Sequence, residues 1–433
     1  MSDRRIVVVG AGAAGLMAAG RAAELGADVV LLERMRQVGR KIRISGKGRC
    51  NLTNTLPVGE FIRHFGKGGK FLRQALTRFH TPELVDFMHA QGCPTEVQRG
   101  GRIFPTSGNA IDVAHTLRDW VVAEGVDLVT GARVRGLDTD DGHVSGVHYD
   151  LFAETGPDGG QGPRGDHTLT CAAVILATGG LSYSSTGSTG DGYDFARDVG
   201  HTLIKTRPSL VPLHAPGVPL KGVRKLALRN IEATLWIDGK LKAREMGELY
   251  LMDVGLSGPI ILELSRIAVA ALDEGCRVEL GIDLKPALDP KKLDARLIRD
   301  LEGGEVRTWE DLLKGLLPEK LIPTCQDLVP VDPQKPAHQV TGQDRKKLRN
   351  WLKDYRHTLT GYGGFKEAIV TAGGVSTKEV DPRSFASRLL PGLYLAGELL
   401  DLDADTGGFN MMGAFASGRA AGEAAARAVT GAD

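Results

Sequence analysis

The sequence has no two cysteines placed to act together. Its five, Cys50, Cys93, Cys171, Cys276 and Cys325, lie far apart, and no C-x-x-C occurs. The odd count argues against a disulfide framework, and the spacing argues against a redox pair. No stretch approaches the ~20 apolar residues that a membrane span requires. Basic and acidic side chains number 54 and 53 and leave a formal charge of +1, so the whole-molecule field selects neither nucleic acid nor a membrane surface. The opening MSDRRIVVVG is a short basic lead into an apolar strand, without the cleavage pattern of a secretory signal. His201 and His214 stand in a region without metal-ligand spacing. These absences predict a cytoplasmic location, no membrane partner and no metal.

Glycine, in contrast, is abundant: 57 residues, clustered in short motifs where backbone must turn tightly or approach a ligand. At 433 residues the chain is too long for one core and predicts two or three folded units. RIVVV (5–9) and DVVLLE (28–33) read as buried strands, and GLMAAGRAAELG (15–26) between them reads as a helix. The corner from the first strand to the helix is Gly10-Ala11-Gly12-Ala13-Ala14-Gly15, a G-x-G-x-x-G. Gly10 permits the turn, Gly12 lets a pyrophosphate come close, and Gly15 lets the helix pack on the sheet, with Ala14 inside the same corner. The helix N-terminus then offers free N–H groups to phosphate. Glu33 ends the next strand, 18 positions after Gly15, where a carboxylate accepts hydrogen bonds from an adenosine ribose and disfavours a 2′-phosphate.

Two later segments favour FAD over a nicotinamide as the resident cofactor. Ala177-Thr178-Gly179-Gly180 ends a strand in paired glycines. GLYLAGELLDLDADTGGFNMMGAFASGRAAG (392–422) gives a strand, then Gly397-Glu398, then acids beginning with Asp401, then a helix opening at Thr406-Gly407-Gly408. A carboxylate at Glu398 suits ribityl hydroxyls. The backbone of Asn410 and Met411 at a helix start suits the flavin edge where reduction places negative charge. No second G-x-G-x-x-G follows a strand, so the reductant would either dock transiently, as NAD(P)H, or be the substrate itself.

The organisation follows from the same cues. Helical patterns recur near 68–91 and 109–125, and 125–152 reads as an antiparallel meander with a D-G turn. TGPDGGQGPRGDH (155–167) reads as a surface loop. From 197 to 360 the character changes: a β-rich part (197–287) and then amphipathic helices (288–360), without a glycine fingerprint. The expected fold class is α/β, with a split Rossmann-like FAD-binding domain (1–196 and 361–433) interrupted by an inserted β-plus-helical domain.

VGRKIRISGKGRCNLTN (38–54), GRIFPTSGNAIDV (101–113), ILATGGLSYSSTGSTGDGY (175–193), GLSGPIILELS (255–265) and TAGGVSTKEVDP (371–382) resemble the BaiN/YhiN-like flavoproteins through nearly the whole chain. The resemblance implies an FAD-dependent oxidoreductase with a split Rossmann domain. It implies that Arg40 and Lys41 line the cofactor, that Asn51 approaches it, and that Val134 meets the adenine. It also implies reduction of a uracil base in ribosomal RNA as an alternative activity. A non-catalytic flavin sensor or RNA-binding accessory protein is a further alternative. ELYLMDV before Gly255 and FNMMGAF in the last helix depart from the family's pattern, and the substrate stays unidentified.

Arg34, Arg36, Arg40, Lys41, Arg43, Lys47 and Arg49 fall in one acid-free run. It reads as pyrophosphate neutralisation plus a solvated face; the sharper reading is a docking surface for RNA or a nicotinamide phosphate. Cys50 lies among these cations, which could lower its pKa. Thr371 and Lys366, at or just before TAGGV, read as turn-shaping residues, with a catalytic role for either as the alternative.

Overall fold

The computed structural model describes residues 4–152, 163–216, 225–253 and 255–431. It divides into two compact units, Met1–Pro208 with Phe365–Asp433, and Ser209–Gly364. The elements that matter for the site are strand β1 (Arg5–Val9), helix α1 (Ala13–Glu24), β2 (Asp28–Glu33), α2 (Arg40–Gly48), α3 (Gly69–Arg78), β3 (Asp127–Thr130), β4 (Ala132–Asp140), β5 (Ala173–Leu176), β6 (Val370–Val375), β7 (Leu393–Leu395) and α4 (Gly407–Thr430).

The first unit is built on a parallel sheet in the order β7-β5-β1-β2-β3. Its central strands are buried past their first residues, which is why they read as continuous Val/Ile/Leu runs and not as alternation. α1 and α4 pack against each other through small residues. A β-carbon on Gly418 would lie 2.1 Å from Ala14 O, and one on Gly422 would lie 2.3 Å from Ala18 O, so this helix contact needs glycine. The Ala/Gly richness of both helices is thus a packing requirement between distant parts of the chain.

Some boundaries differ from the sequence reading. Asp127–Thr130 does not belong to the meander; it pairs in parallel with β2 at the sheet edge. The antiparallel meander is β4 with His143–Phe152 and Pro163–Thr170, turned at Asp141-Gly142, both with positive φ. Of the 155–167 segment read as loop, 163–167 is strand, and 155–162 lies outside the described residues. The unit boundaries fall after Pro208 and after Gly364. Leu203–Ser209 pairs with β6, which holds the residues just past 196 in the first unit.

The second unit carries a seven-stranded antiparallel sheet, dominated by the hairpin Lys225–Ile237 and Lys240–Met252 with a positive-φ Asp238-Gly239 turn. Its helices start where their caps dictate. Asp289 accepts from Lys291 and Lys292 N–H ahead of Pro290, and Thr308 with Asp311 and Thr341 with Asp344 form capping boxes. The last of these helices stops at Lys353, and Tyr355–Leu359, which the amphipathic pattern had drawn into it, is a strand with alternating burial. Among the described residues, no helix is long and apolar enough to cross a membrane, and no cluster of His, Cys, Asp and Glu suits a metal ion.

Candidate active site

The β1–α1 corner is held by contacts that leave no space for a side chain at two of the motif's three glycines. A β-carbon on Gly15 would sit 1.7 Å from Gly10 O. Gly10 has φ +100° and faces Ala177, whose carbonyl oxygen would lie 2.7 Å from a β-carbon there. Gly12 is different: a β-carbon on it meets nothing within 4 Å. The backbone beside Gly12 therefore opens onto a cradle, as a pyrophosphate at the start of α1 needs. Ala14 and Gly397 (φ +73°) close the corner from the other end of the chain, since a β-carbon on Gly397 would lie 2.9 Å from Ala14 Cβ. Gly397 N–H donates to Ser417 Oγ on α4 at 3.0 Å.

Glu33, at the end of β2, is buried. Its carboxylate accepts from Ala11 N–H at 2.7 Å and from Met35 N–H at 2.8 Å. Burial raises the carboxyl above its ordinary value, opposed by those two hydrogen bonds and by the charges of Arg34 and Arg40. A buried acid tied to the motif's own backbone is placed to take ribose hydroxyls rather than a phosphate. Val134, on β4, is 5% exposed and lines the adjacent apolar core.

The second half of the site gathers residues from four segments. Lys41 Nζ donates to Glu398 Oε2 at 2.5 Å and to Ser182 Oγ at 2.7 Å. Ser182 Oγ donates to Glu398 Oε1 at 2.5 Å, and Thr371 N–H donates to the same oxygen at 2.8 Å. Thr371 Oγ1 accepts from Leu181 and Ser182 N–H at 2.9 and 3.1 Å. Thr178 and Gly179 lie just before this knot, with Thr178 Oγ1 donating to Gly179 O at 3.4 Å. Asp401 is joined to β6 by its N–H to Val375 O at 2.9 Å; burial and the neighbouring Asp403 raise its carboxyl pKa.

Asn51 lies against the start of α4, where a β-carbon on Gly408 would be 2.5 Å from Asn51 Nδ2. Its Oδ1 is buried without a hydrogen-bond partner. Buried amide oxygens are ordinarily satisfied, so this acceptor fits a donor supplied by a bound group. The open cradle at Gly12 and this acceptor together suit a dinucleotide with a second hydrogen-bonding head.

The sequence reading is adjusted at several points. α4 begins at Gly407, so the first-turn N–H groups that no helical carbonyl can reach belong to Gly407, Gly408 and Phe409. Asn410 N–H instead meets Thr406 O at 3.4 Å, and its side chain braces Ala404 and Thr406. Met411 is half-buried against the core. Cys50 is fully buried, and desolvation pushes its thiol up to about 12, the opposite of activation by the nearby cations. His201 belongs to the first unit, where it bonds Glu379 and Ser387, with burial lowering its pKa. Ser182 and Ser417 were not picked out by sequence reasoning; Ser182 sits within the ATGGLSYSS string, but nothing in that string announces a partner at 398.

This fold and these residues define an FAD-binding flavoprotein of the oxidoreductase class. The chain belongs to the family described as the HI0933-like protein Rossmann domain, whose pattern matches residues 4–424. It is 34% identical to the 3-dehydro-bile acid delta(4,6)-reductase of Clostridium scindens over 427 residues, 98% of this chain and 99% of that protein. It is 29% identical to the ribosomal RNA dihydrouridine synthase of Escherichia coli over 414 residues, 95% of each chain. Among solved structures, a 3-ketosteroid-delta4-(5alpha)-dehydrogenase from Rhodococcus jostii RHA1 shares the fold, with a TM-score of 0.52, 17% identity and 98% coverage of both chains. The protein is an FAD-dependent oxidoreductase. FAD supplies the hydride chemistry when bound, and the protein's part is to hold and orient it and set the local charge.

Proposed function

We propose that the protein reduces a carbon–carbon double bond conjugated to a carbonyl group, drawing electrons from a nicotinamide that docks transiently. One chemical observation carries this reading. Two relatives aligned along almost the whole chain, one named for a bile-acid delta(4,6)-reduction and one for making dihydrouridine, both saturate a bond next to a carbonyl. In such a reaction hydride adds to the β-carbon, the electron pair moves to the carbonyl oxygen, and a proton completes the α-carbon. The absence of a second glycine fingerprint after a strand supports transient docking of the donor. The test is anaerobic titration of the flavoprotein with NADH and NADPH, followed by candidate acceptors. A 3-oxo-Δ4,6 steroid or a uridine-containing ribosomal RNA fragment should restore oxidised flavin absorbance, and saturated counterparts should not. Failure of every conjugated acceptor with a fully reduced flavin would overturn the reading.

A uracil base in ribosomal RNA is the second reading, favoured by a surface feature. Arg63, Lys67, Lys70, Arg73 and Arg78 are exposed around α3, and no acid falls between 61 and 78. Among the described residues none of the first four forms an ion pair. Within the run singled out from sequence, by comparison, Arg34 is held by Asp191 at 3.2 Å and by Thr189, and Arg36 and Lys47 also have partners. Neutralising Arg63, Lys67 and Lys70 should weaken RNA binding and flatten its salt dependence by roughly one unit of slope per lost phosphate contact. Neutralising Arg34, Arg36 and Lys47 should do less. Equal RNA binding by parent and α3 variant across salt would remove this reading.

A further inference from the structure

The knot around Glu398 has a donor and an acceptor left over, side by side. An ammonium has three N–H donors, and Lys41 uses two, on Ser182 and Glu398. A carboxylate offers about four lone-pair positions, and Glu398 fills three with Lys41, Ser182 and Thr371. The remaining N–H of Lys41 and the remaining lone pair of Glu398 belong to groups only 2.5 Å apart. Both side chains are partly exposed, at 27% and 17%, whereas Ser182 and Thr371 are fully buried. A donor and an acceptor paired in this way match an alcohol, which accepts from one and donates to the other. A phosphate would meet the carboxylate's charge, and a carbonyl would leave the lone pair idle.

We infer that Ser182 and Thr371 are positioning residues of the flavin site, which act through Glu398 to hold Lys41–Glu398 as a pair that binds one hydroxyl of the FAD ribityl chain. Ser182 Oγ closes the ring by accepting from Lys41 and donating to Glu398, which fixes both head groups at once. Thr371 fixes the other side: its N–H holds Oε1, and its Oγ1 holds the Leu181–Ser182 backbone that carries the serine. Gly180 is the space this requires, since a β-carbon there would lie 2.5 Å from Thr371 Oγ1 and 3.0 Å from Glu398 Oε1. The assignment concerns cofactor retention and does not depend on which substrate is reduced.

The experiment measures FAD binding to deflavinated protein by quenching of flavin fluorescence, with FAD and with FAD lacking single ribityl hydroxyls. Ser182→Ala should weaken FAD binding by about ten- to a hundredfold, the range for a hydrogen bond to a charged group, with the melting temperature of the apoprotein little changed. Thr371→Val should act similarly and Thr371→Ser should restore binding. For one deoxyribityl FAD, the parent should already bind weakly and Ser182→Ala should add little, because the same contact is lost twice. Unchanged FAD affinity in Ser182→Ala would overturn the inference. Losses that add independently for every deoxyribityl FAD would also overturn it, because they would show that Ser182 only supports the fold.

Discussion

The β1–α1 turn and the Glu398 knot are two regions of the candidate site built by opposite means. The turn uses neighbours in sequence: Gly10, Gly12, Gly15 and Glu33 lie on one strand–helix–strand unit, and their contacts are mostly backbone. The knot uses side chains from residues 41, 182, 371 and 398, with only one backbone donor into Glu398. At Gly10 and Gly15 the backbone of the corner tolerates no added atom. A side-chain network tolerates conservative exchange if its hydrogen bonds are kept. The two regions should therefore fail differently.

The largest effect is expected at Gly15. Gly15→Val places atoms where Gly10 O already lies, and the backbone has no room to yield without moving the sheet. Expression should give little folded protein and no flavin, read from soluble yield and flavin-to-protein ratio. A normal yellow protein would show that the corner is looser than these contacts require. Next comes Glu33→Arg, which puts a cation where two backbone N–H groups need an acceptor. FAD content after purification should drop at least tenfold, with Glu33→Gln falling between variant and parent. Flavin content equal to that of the parent would make Glu33 a structural acid alone.

A smaller effect separates the units by pH. His357, in the second unit, is buried, its Nε2 has no hydrogen-bond partner, and burial lowers its pKa to about 4. Between that value and the ordinary 6.5 the unfolded chain binds a proton that the folded strand refuses. Stability is thus full above the unfolded pKa and falls as pH drops through this window, by about 3 kcal/mol at its lower end. Denaturant melts of parent and His357→Phe between pH 7 and 4.5 should differ in slope, and parallel curves would refute the assignment. The smallest effect concerns thiols. Cys50, Cys171 and Cys325 are buried, with pKa values pushed up to about 12. Alkylation of the native protein near neutral pH should mark Cys276 first and leave flavin content unchanged. Fast labelling of Cys50 would reopen the expectation that the nearby cations lower its pKa.

Much of the nucleotide-binding half was legible in the chain because its signals are local. A buried strand, a glycine corner and a strand-end acid occupy fewer than thirty consecutive positions, and steric rules fix what each residue must do there. The helix caps Asp289, Thr308 and Thr341 are equally local, but the amphipathic pattern alone did not single them out. Strand limits were less legible where a short piece has two plausible partners. Asp127–Thr130 continues the meander in sequence but finds its pairing beside β2, and Tyr355–Leu359 follows a helical pattern into a sheet.

The sequence by itself determined the class: a split α/β chain with a dinucleotide corner at one end and a glycine-rich, acid-bearing helix start at the other. Only the tertiary structure decided which side chains meet. That Lys41 faces Glu398, that Ser182 bridges them, and that Asn51 leaves its Oδ1 unsatisfied beside Gly408 depend on segments more than a hundred residues apart, and burial, not the neighbouring cations, sets the pKa of Cys50. Hydrogen bonding and desolvation are set by neighbours in space, and no local pattern of residues specifies those neighbours.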